Sequence, residues 1–396
     1  MTAAMQNIDI EALLSEGVEG AARRERSDFD RLAGPFAQTI VLFGAGNMGR
    51  TIQRKLKSIG LEIAAFADNN QNLWGQIIGG VPVLSPADAA TKFAASGVFV
   101  VSIWGVGSRD RMASRVGQLR ELGCRTVIPF PALFWKYSQL FLPYCMIDLP
   151  SGVHEQASQI RDAAALWADE FSRREFAAQI NWRLNADFDR MANPVPEIIY
   201  FPEDLFALND RELFVDCGAY DGDSIAAFLR ATDSKFEQIV AFEPDPSNFS
   251  KLHRYVGGLP DRVSSRIELH QQATAASAGL VRFAALGTDG SAIGEGDLEV
   301  ECVTLDQALG SGCSPTHIKM DIEGAELDAL EGARETIVRN RPVLAIFAYH
   351  RQSDIWRIPL LIHSIEPGYK LFLRPHLLEG WDSVCYAVPP RGNSAG

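Results

Sequence analysis

The chain predicts two tandem α/β units, each built on a parallel sheet with crossover helices. Three observations carry that class. Short β-branched runs alternate with helical stretches in two separate series, and each series opens on a strand that runs directly into a glycine-rich turn. Between the two lies a helical stretch ended by prolines. At 396 residues the length agrees, since about 100 to 200 residues make one domain.

Residues 1–34 have helical spacing in IDIEALLSEGVEGAARR and end at the Gly34-Pro35 break, a short helical lead-in. Residues 35–150 form the first α/β unit, with strands expected at Thr39 to Phe43, Glu62 to Ala67 and Val98 to Ile103. Residues 151 to about 192 read almost wholly as helix, with Ile160, Trp167, Phe176, Ile180, Trp182 and Phe188 on a polar background. The proline-bearing stretch Asn193 to Asp204 cannot continue a helix, so residues 151–204 are expected to be a connector and linker. The second unit occupies 205–396. Its strands are expected at Leu213 to Cys217, Gln238 to Glu243, Arg266 to Gln271, His317 to Asp321 and Val343 to Tyr349, followed by YKLFLR and DSVCYAV. Gly279 to Leu305 lacks a long helix and reads as an antiparallel excursion between two crossovers.

Charge and composition narrow the function classes. Lys plus Arg is 37 against 50 for Asp plus Glu, a net charge of −13, which repels nucleic-acid backbones and anionic lipid. The six cysteines show no CxxC pair and no framework spacing, so a reducing, cytoplasmic setting is expected. No apolar run approaches the roughly 18 residues that a membrane span needs. The expected partner is a small-molecule or glycan acceptor, with no nucleic acid; self-association into a homo-oligomer stays open.

The first glycine turn, TIVLFGAGNMGR, places Gly44, Gly46 and Gly49 in the G-x-G-x-x-G pattern between strand and helix, with Asn47 inside it. Such a turn lets backbone approach a phosphate, and the helix N-terminus offers free N–H groups. Asp68 follows nineteen positions after Gly49 at a strand end, where it would meet a ribose hydroxyl. The unit is therefore expected to bind a nucleotide or nucleotide-sugar. Its segment FADNNQNLWGQIIGGVPVLSP resembles the N-terminal nucleotide-binding domains of sugar-modifying enzymes, including sialic-acid-type sugar acetyltransferases.

The second turn, LFVDCGAYDGDS, puts Asp216, Gly218, Gly222 and Asp223 after a strand. An acid at the strand end repels a pyrophosphate and suits a ligand with an amino cation and hydroxyls, which favours S-adenosylmethionine over a dinucleotide. Glu243 ends the next strand twenty-seven residues after Asp216, and a carboxylate there accepts both hydroxyls of a ribose. In HIKMDIEGAELDALEGA, Lys319, Asp321, Glu323 and Glu326 crowd a strand end, where several acids need a compensating cation, metal or ligand.

DCGAYDGD, AFEPDP, VTLDQAL and IKMDIEGAELDALEGA, in this order, resemble the FkbM family of S-adenosylmethionine-dependent O-methyltransferases from about Leu213 onward. The resemblance implies a class I methyltransferase sheet of seven strands with an antiparallel last strand. It places Asp216, Gly218, Tyr220, Gly222 and Asp223 around the cofactor, Glu243 at its ribose and Asp321 beside the methyl group. This chain departs from the family's usual first motif at Tyr220 and Asp221, where an Asn or similar residue is common.

A sulfonium methyl is already activated, so positioning carries most of the work, and a base adds about 10²- to 10⁴-fold. The candidates are Asp321, Glu323 and His350, the last at the end of the expected fifth strand. Asp321 and Glu323 suit Mg²⁺, but the set is incomplete and no zinc spacing occurs, so no metal is assigned. The reading is O-methylation of a sugar, glycan or nucleotide-linked sugar hydroxyl. Two alternatives stand beside it: an N-terminal unit with its own NAD(P) chemistry, and a non-catalytic scaffold of glycan assembly.

Overall fold

The computed structural model describes residues 8–105, 107, 110–196, 198–284, 292–293 and 298–390. The chain divides into two compact units. Unit 1 comprises 1–157, 177–193 and 377–381; unit 2 comprises 158–176, 194–376 and 382–396. The residues between the two sheets are thus divided between the units.

Unit 1 is built on a six-stranded sheet. Its strands are β1 (Ile40–Phe43), β2 (Ala65–Ala67), β3 (Ile77–Ile78), β4 (Val81–Leu84), β5 (Val98–Val101) and β6 (Thr126–Pro129), in the order β3-β4-β2-β1-β5-β6. All pairings are parallel except β3 with β4. β1 and β5 are buried at every position, which is why they read as continuous apolar runs. β3, β4 and β6 are not singled out by the sequence pattern. β3 has two residues, and Pro82 and Pro129 interrupt the apolar pattern in the others.

Unit 2 contains a seven-stranded sheet and a smaller four-stranded one. Its strands are β7 (Leu213–Cys217), β8 (Gln238–Phe242), β9 (Ile267–His270), β10 (Ala273–Thr274), β11 (Gly279–Ala284), β12 (Ala292–Ile293), β13 (Leu298–Val303), β14 (His317–Met320), β15 (Val343–Phe347), β16 (Lys370–Pro375) and β17 (Ser383–Val388). The larger sheet runs β16-β17-β15-β14-β7-β8-β9. β17 is antiparallel to β15 and to β16, whereas the strands from β15 to β9 are parallel. The seven strands and antiparallel end are as the sequence leads one to expect. The excursion after Gly279 is the antiparallel β11–β13 pair, with Gly279 opposite Cys302.

The near-continuous helix expected over 151–192 is broken. Helices span Pro150–Glu155, Ala157–Ala164 and Glu170–Asn185. At the break Trp167 is buried and bridges to Leu371 of β16, the Ala168 N–H donates to the Leu371 carbonyl at 2.8 Å, and Asp169 accepts the Ser172 N–H. Helical periodicity survives such a break because the same side chains stay buried on either side of it. Among the described residues, no helix is long and apolar enough to cross a membrane.

Candidate active site

The candidate site lies in unit 2, beyond the carboxyl ends of β7, β8, β14 and β15. β7 and β14 are neighbours whose crossovers leave in opposite directions, the point at which open α/β sheets bind ligands. Asp216 is on β7 in register with Lys319 on β14, and both side chains are buried. The Lys319 Nζ lies 3.0 Å from Asp216 Oδ1 and donates to the Gly218 carbonyl, while Asp216 also accepts the Ser224 hydroxyl. Burial alone would lower the Lys319 pKa, but the carboxylates of Asp216, Asp321 and Asp223 hold it above its ordinary value. The lysine therefore carries a fixed charge that ties the first turn to the sheet.

That turn is shaped by two positive-φ glycines. A Cβ on Gly218 (φ 81°) would sit 2.0 Å from the Asp321 carbonyl oxygen, and one on Gly222 (φ 98°) would strike the Tyr255 ring at 2.5 Å. Only hydrogen fits at either position. Gly222 is the N-cap of the Asp223–Ala231 helix, and Asp223 opens it, accepting the Ser224 N–H at 2.7 Å.

Glu243 follows β8 and is buried. Its Oε2 accepts the Tyr220 N–H and its Oε1 the Asp245 N–H, each at 2.9 Å. Burial pushes its pKa up to about 7 against those two donors. A carboxylate has about four acceptor sites, so roughly two stay available to a diol. The aromatic face of Tyr220 lies 5.2 Å from the Lys251 ammonium.

Asp321, Glu323 and His350 are brought together. His350, just past β15, has Nδ1 2.8 Å from Glu326 Oε1 and Nε2 3.4 Å from Asp321 Oδ1 and 3.8 Å from Glu323 Oε1. Burial works against its charge, but Glu326, Glu323 and Asp321 together hold its pKa up to about 10. At neutral pH it is therefore an imidazolium. Burial raises the Asp321 carboxyl, with Lys319 and His350 pulling the other way. Asp321, Glu326 and His350 also bring potential metal-ligand atoms within 4.8 Å of one another. Here the histidine proton, shared with Glu326, already supplies the positive charge that these acids need.

Two further groups come from positions that carried no functional signal. Tyr200, from the proline-rich linker, is buried with φ 74° and stands over the Lys319 ammonium at 5.4 Å. Asp382, just before β17, accepts the Tyr349 hydroxyl, and burial together with the Asp321 charge pushes its pKa up to about 7. Lys319 and Glu326 were legible, because they crowd a strand end together with Asp321 and Glu323, where like charges need a compensating partner. Nothing local marks Tyr200 or Asp382.

The first-turn residues of unit 1 assemble separately. Gly44 (φ 120°) follows β1, and a Cβ on Gly49 would lie 1.9 Å from the Gly44 carbonyl oxygen, so helix and turn are in close contact. Asp68, past β2, accepts the Ala45 N–H at 2.6 Å and the Asn70 N–H at 2.7 Å. Gly46 caps the Asn47–Ser58 helix without any side-chain cap.

Residues 216–371 match the family model described as Methyltransferase FkbM domain. Among solved structures, a Methyltransferase FkbM from Methylobacillus flagellatus overlays with a TM-score of 0.76 at 24% identity, covering 96% of this chain and all (100%) of that one. A putative rRNA methylase from Clostridium thermocellum overlays at 0.32, with 10% identity over 47% of this chain and 91% of that chain. Aeropyrum pernix fibrillarin, solved with natively bound S-adenosyl-L-methionine, gives 0.30, with 10% identity over 46% and 69%. No curated protein matches the chain.

Proposed function

We propose that this chain, whose residues 216–371 match the FkbM methyltransferase domain, is an S-adenosylmethionine-dependent O-methyltransferase acting on a hydroxyl of a sugar, glycan or nucleotide-linked sugar. The observation that carries the reading is the buried Glu243 carboxylate. It is held by two backbone N–H groups at 2.9 Å, one of them from the Asp216–Asp223 turn. A strand-end acid in that setting suits a ribose diol, and the nearby Asp223, Asp321 and Asp382 favour a cationic ligand over a phosphate.

Bound S-adenosylmethionine supplies an activated methyl group that passes to the acceptor oxygen as the carbon–sulfur bond breaks. The protein's residues bind, orient and manage the proton. Glu243 holds the ribose, and the Gly218 turn, packed against the Asp321 carbonyl, presents its backbone to the methionine portion. Asp321 takes the acceptor's proton. The His350 imidazolium, already protonated, steadies the resulting arrangement of acids and does not act as the base. Trp356, fully buried in the Asp354–Ile365 helix, and the buried Tyr349 offer no open face to a sugar, so the carbohydrate acceptor rests on the sequence resemblances and not on these aromatics.

The test is calorimetric titration of S-adenosylmethionine and S-adenosylhomocysteine, followed by transfer of a labelled methyl group to a panel of sugars and nucleotide sugars. Binding with label appearing in an ether-linked product supports the reading. Binding with label only on nitrogen acceptors overturns the O-methylation part, and no binding overturns the whole.

A further inference from the structure

Unit 1 contains a pocket of about 740 Å³ beyond the carboxyl ends of β1, β2 and β5. That volume is within the range of small-molecule and cofactor sites, and its position is the topological switch of the unit-1 sheet, where β2 and β5 flank β1. Its lining includes Gly44, Gly46, Asp68, Trp104 and Arg115.

Arg115 is only 6% exposed, and the hydrogen bond it makes is from Nη1 to the Ile103 carbonyl at 2.7 Å. Among the described residues no carboxylate lies within ion-pairing distance of it. Glu379 and the pocket-lining Asp110 attract its charge without ion-pairing to it and do not offset its burial, so a nearly buried guanidinium lacks a direct anionic partner that a ligand can supply. Trp104, also buried at 7% exposure, has an indole N–H with no acceptor among the described residues. Across the same pocket the uncapped N-terminus of the Asn47–Ser58 helix offers N–H groups at Gly46. Gly46 is open, with nothing within 4 Å of a built Cβ, unlike Gly49. Beside these donors stands Asp68, whose carboxylate takes the Ala45 N–H of the same turn at 2.6 Å and retains acceptor sites beyond the two backbone N–H groups it holds. Donors for an anion beside a carboxylate for hydroxyls describe a phosphorylated ribose.

We propose that unit 1 binds a nucleoside diphosphate ester in this pocket, with the diphosphate at the Gly44–Gly49 turn and Arg115 and the ribose hydroxyls on Asp68. The chemistry is shared by dinucleotide cofactors and nucleotide sugars, and the test separates them. It rests on residues of unit 1 alone and stands or falls independently of methyl transfer.

The experiment titrates the full chain with ADP, NADH, UDP-glucose and inorganic pyrophosphate, using wild type, Gly46→Ala and Asp68→Asn. S-adenosylhomocysteine serves as a control for unit 2. Gly46 has φ −77° and empty space around it, so Gly46→Ala keeps the fold and puts a methyl group against the phosphate. The expected result is 1:1 binding of at least one nucleotide, weakened at least tenfold by Gly46→Ala, with unchanged S-adenosylhomocysteine affinity and melting temperature. Asp68→Asn is expected to weaken the nucleotide and leave pyrophosphate unaffected. Preference for NADH identifies a dinucleotide site, and preference for UDP-glucose a nucleotide-sugar site. The proposal is overturned if none of the nucleotides binds below 1 mM. It is equally overturned if binding is indifferent to Gly46→Ala, or if S-adenosylhomocysteine competes with it, which would place the nucleotide in unit 2.

Discussion

Replacing Glu243 by Gln separates ligand recognition from folding. The carboxylate holds the Tyr220 and Asp245 N–H groups at 2.9 Å each, one per oxygen. An amide keeps one accepting oxygen and presents an NH₂ in place of the other, so one backbone N–H loses its acceptor, at about 1–3 kcal/mol. The same change removes the burial penalty that pushes the acid's pKa up to about 7, a contribution of comparable size and opposite sign. The melting temperature is therefore expected to move by only a few degrees, at ~2–4 °C per kcal/mol for a unit of this size. Cofactor binding has no such compensation. Loss of one charge-assisted hydrogen bond to the ribose is worth about 1.5–3 kcal/mol, or roughly a 10- to 150-fold rise in Kd. Calorimetry with S-adenosylhomocysteine reads the affinity, and thermal unfolding of the same samples reads the fold. The pH dependence sharpens the assay. If the ionised acid is the binding form, wild-type affinity rises about tenfold from pH 6 to pH 8 as Glu243 ionises, while the Gln variant stays flat. A folded variant whose Kd stays within threefold of wild type would refute the assignment of Glu243 to the ribose.

Three further outcomes are expected. Lys319→Met leaves the buried Asp216 carboxylate without its ammonium and should destabilise unit 2 by about 3–5 kcal/mol in urea unfolding; a loss under about 1 kcal/mol would show that the pair is not structural. His350→Gln should lower turnover by at least tenfold while S-adenosylhomocysteine affinity changes less than twofold, and unchanged turnover would remove His350 from the site. Stability should fall as pH rises from 5 to 10, in two stages. Folded-state carboxyls near 7 at Glu243, Asp354 and Asp382 lie above their unfolded values, so their protonated forms stabilise the fold and that benefit is lost through about pH 7. His350, raised from 6.5 to about 10, contributes stability that is complete below 6.5 and lost as pH passes 10. A ligand-free melting temperature that rises from pH 6 to 9 would contradict both stages.

Much of the site was legible because its residues are tied to strand ends by local chemistry. Asp216, Glu243 and Asp321 each stand at or just past the carboxyl end of a parallel strand, and Gly218 and Gly222 mark the turn whose positive φ values only glycine adopts easily. Strands buried on both sides appear as apolar runs, unbroken in β1, β5 and β15 and interrupted by Asp216 alone in β7, so all four could be read with errors of a few residues at their ends. The short or proline-bearing strands β3, β4 and β6 could not, because their place depends on neighbours far along the chain.

Order along the chain by itself determined two glycine turns with opposite charge preferences, one after each opening strand, and hence the expectation of two kinds of ligand. Tertiary structure alone decided which charges meet. It set Lys319 against Asp216, surrounded His350 with three carboxylates so that it keeps its proton, and brought Tyr200 and Asp382, which carried no functional signal, to the same strand ends. A side chain's charge state depends on burial and on partners many residues away, and neither is written in local spacing.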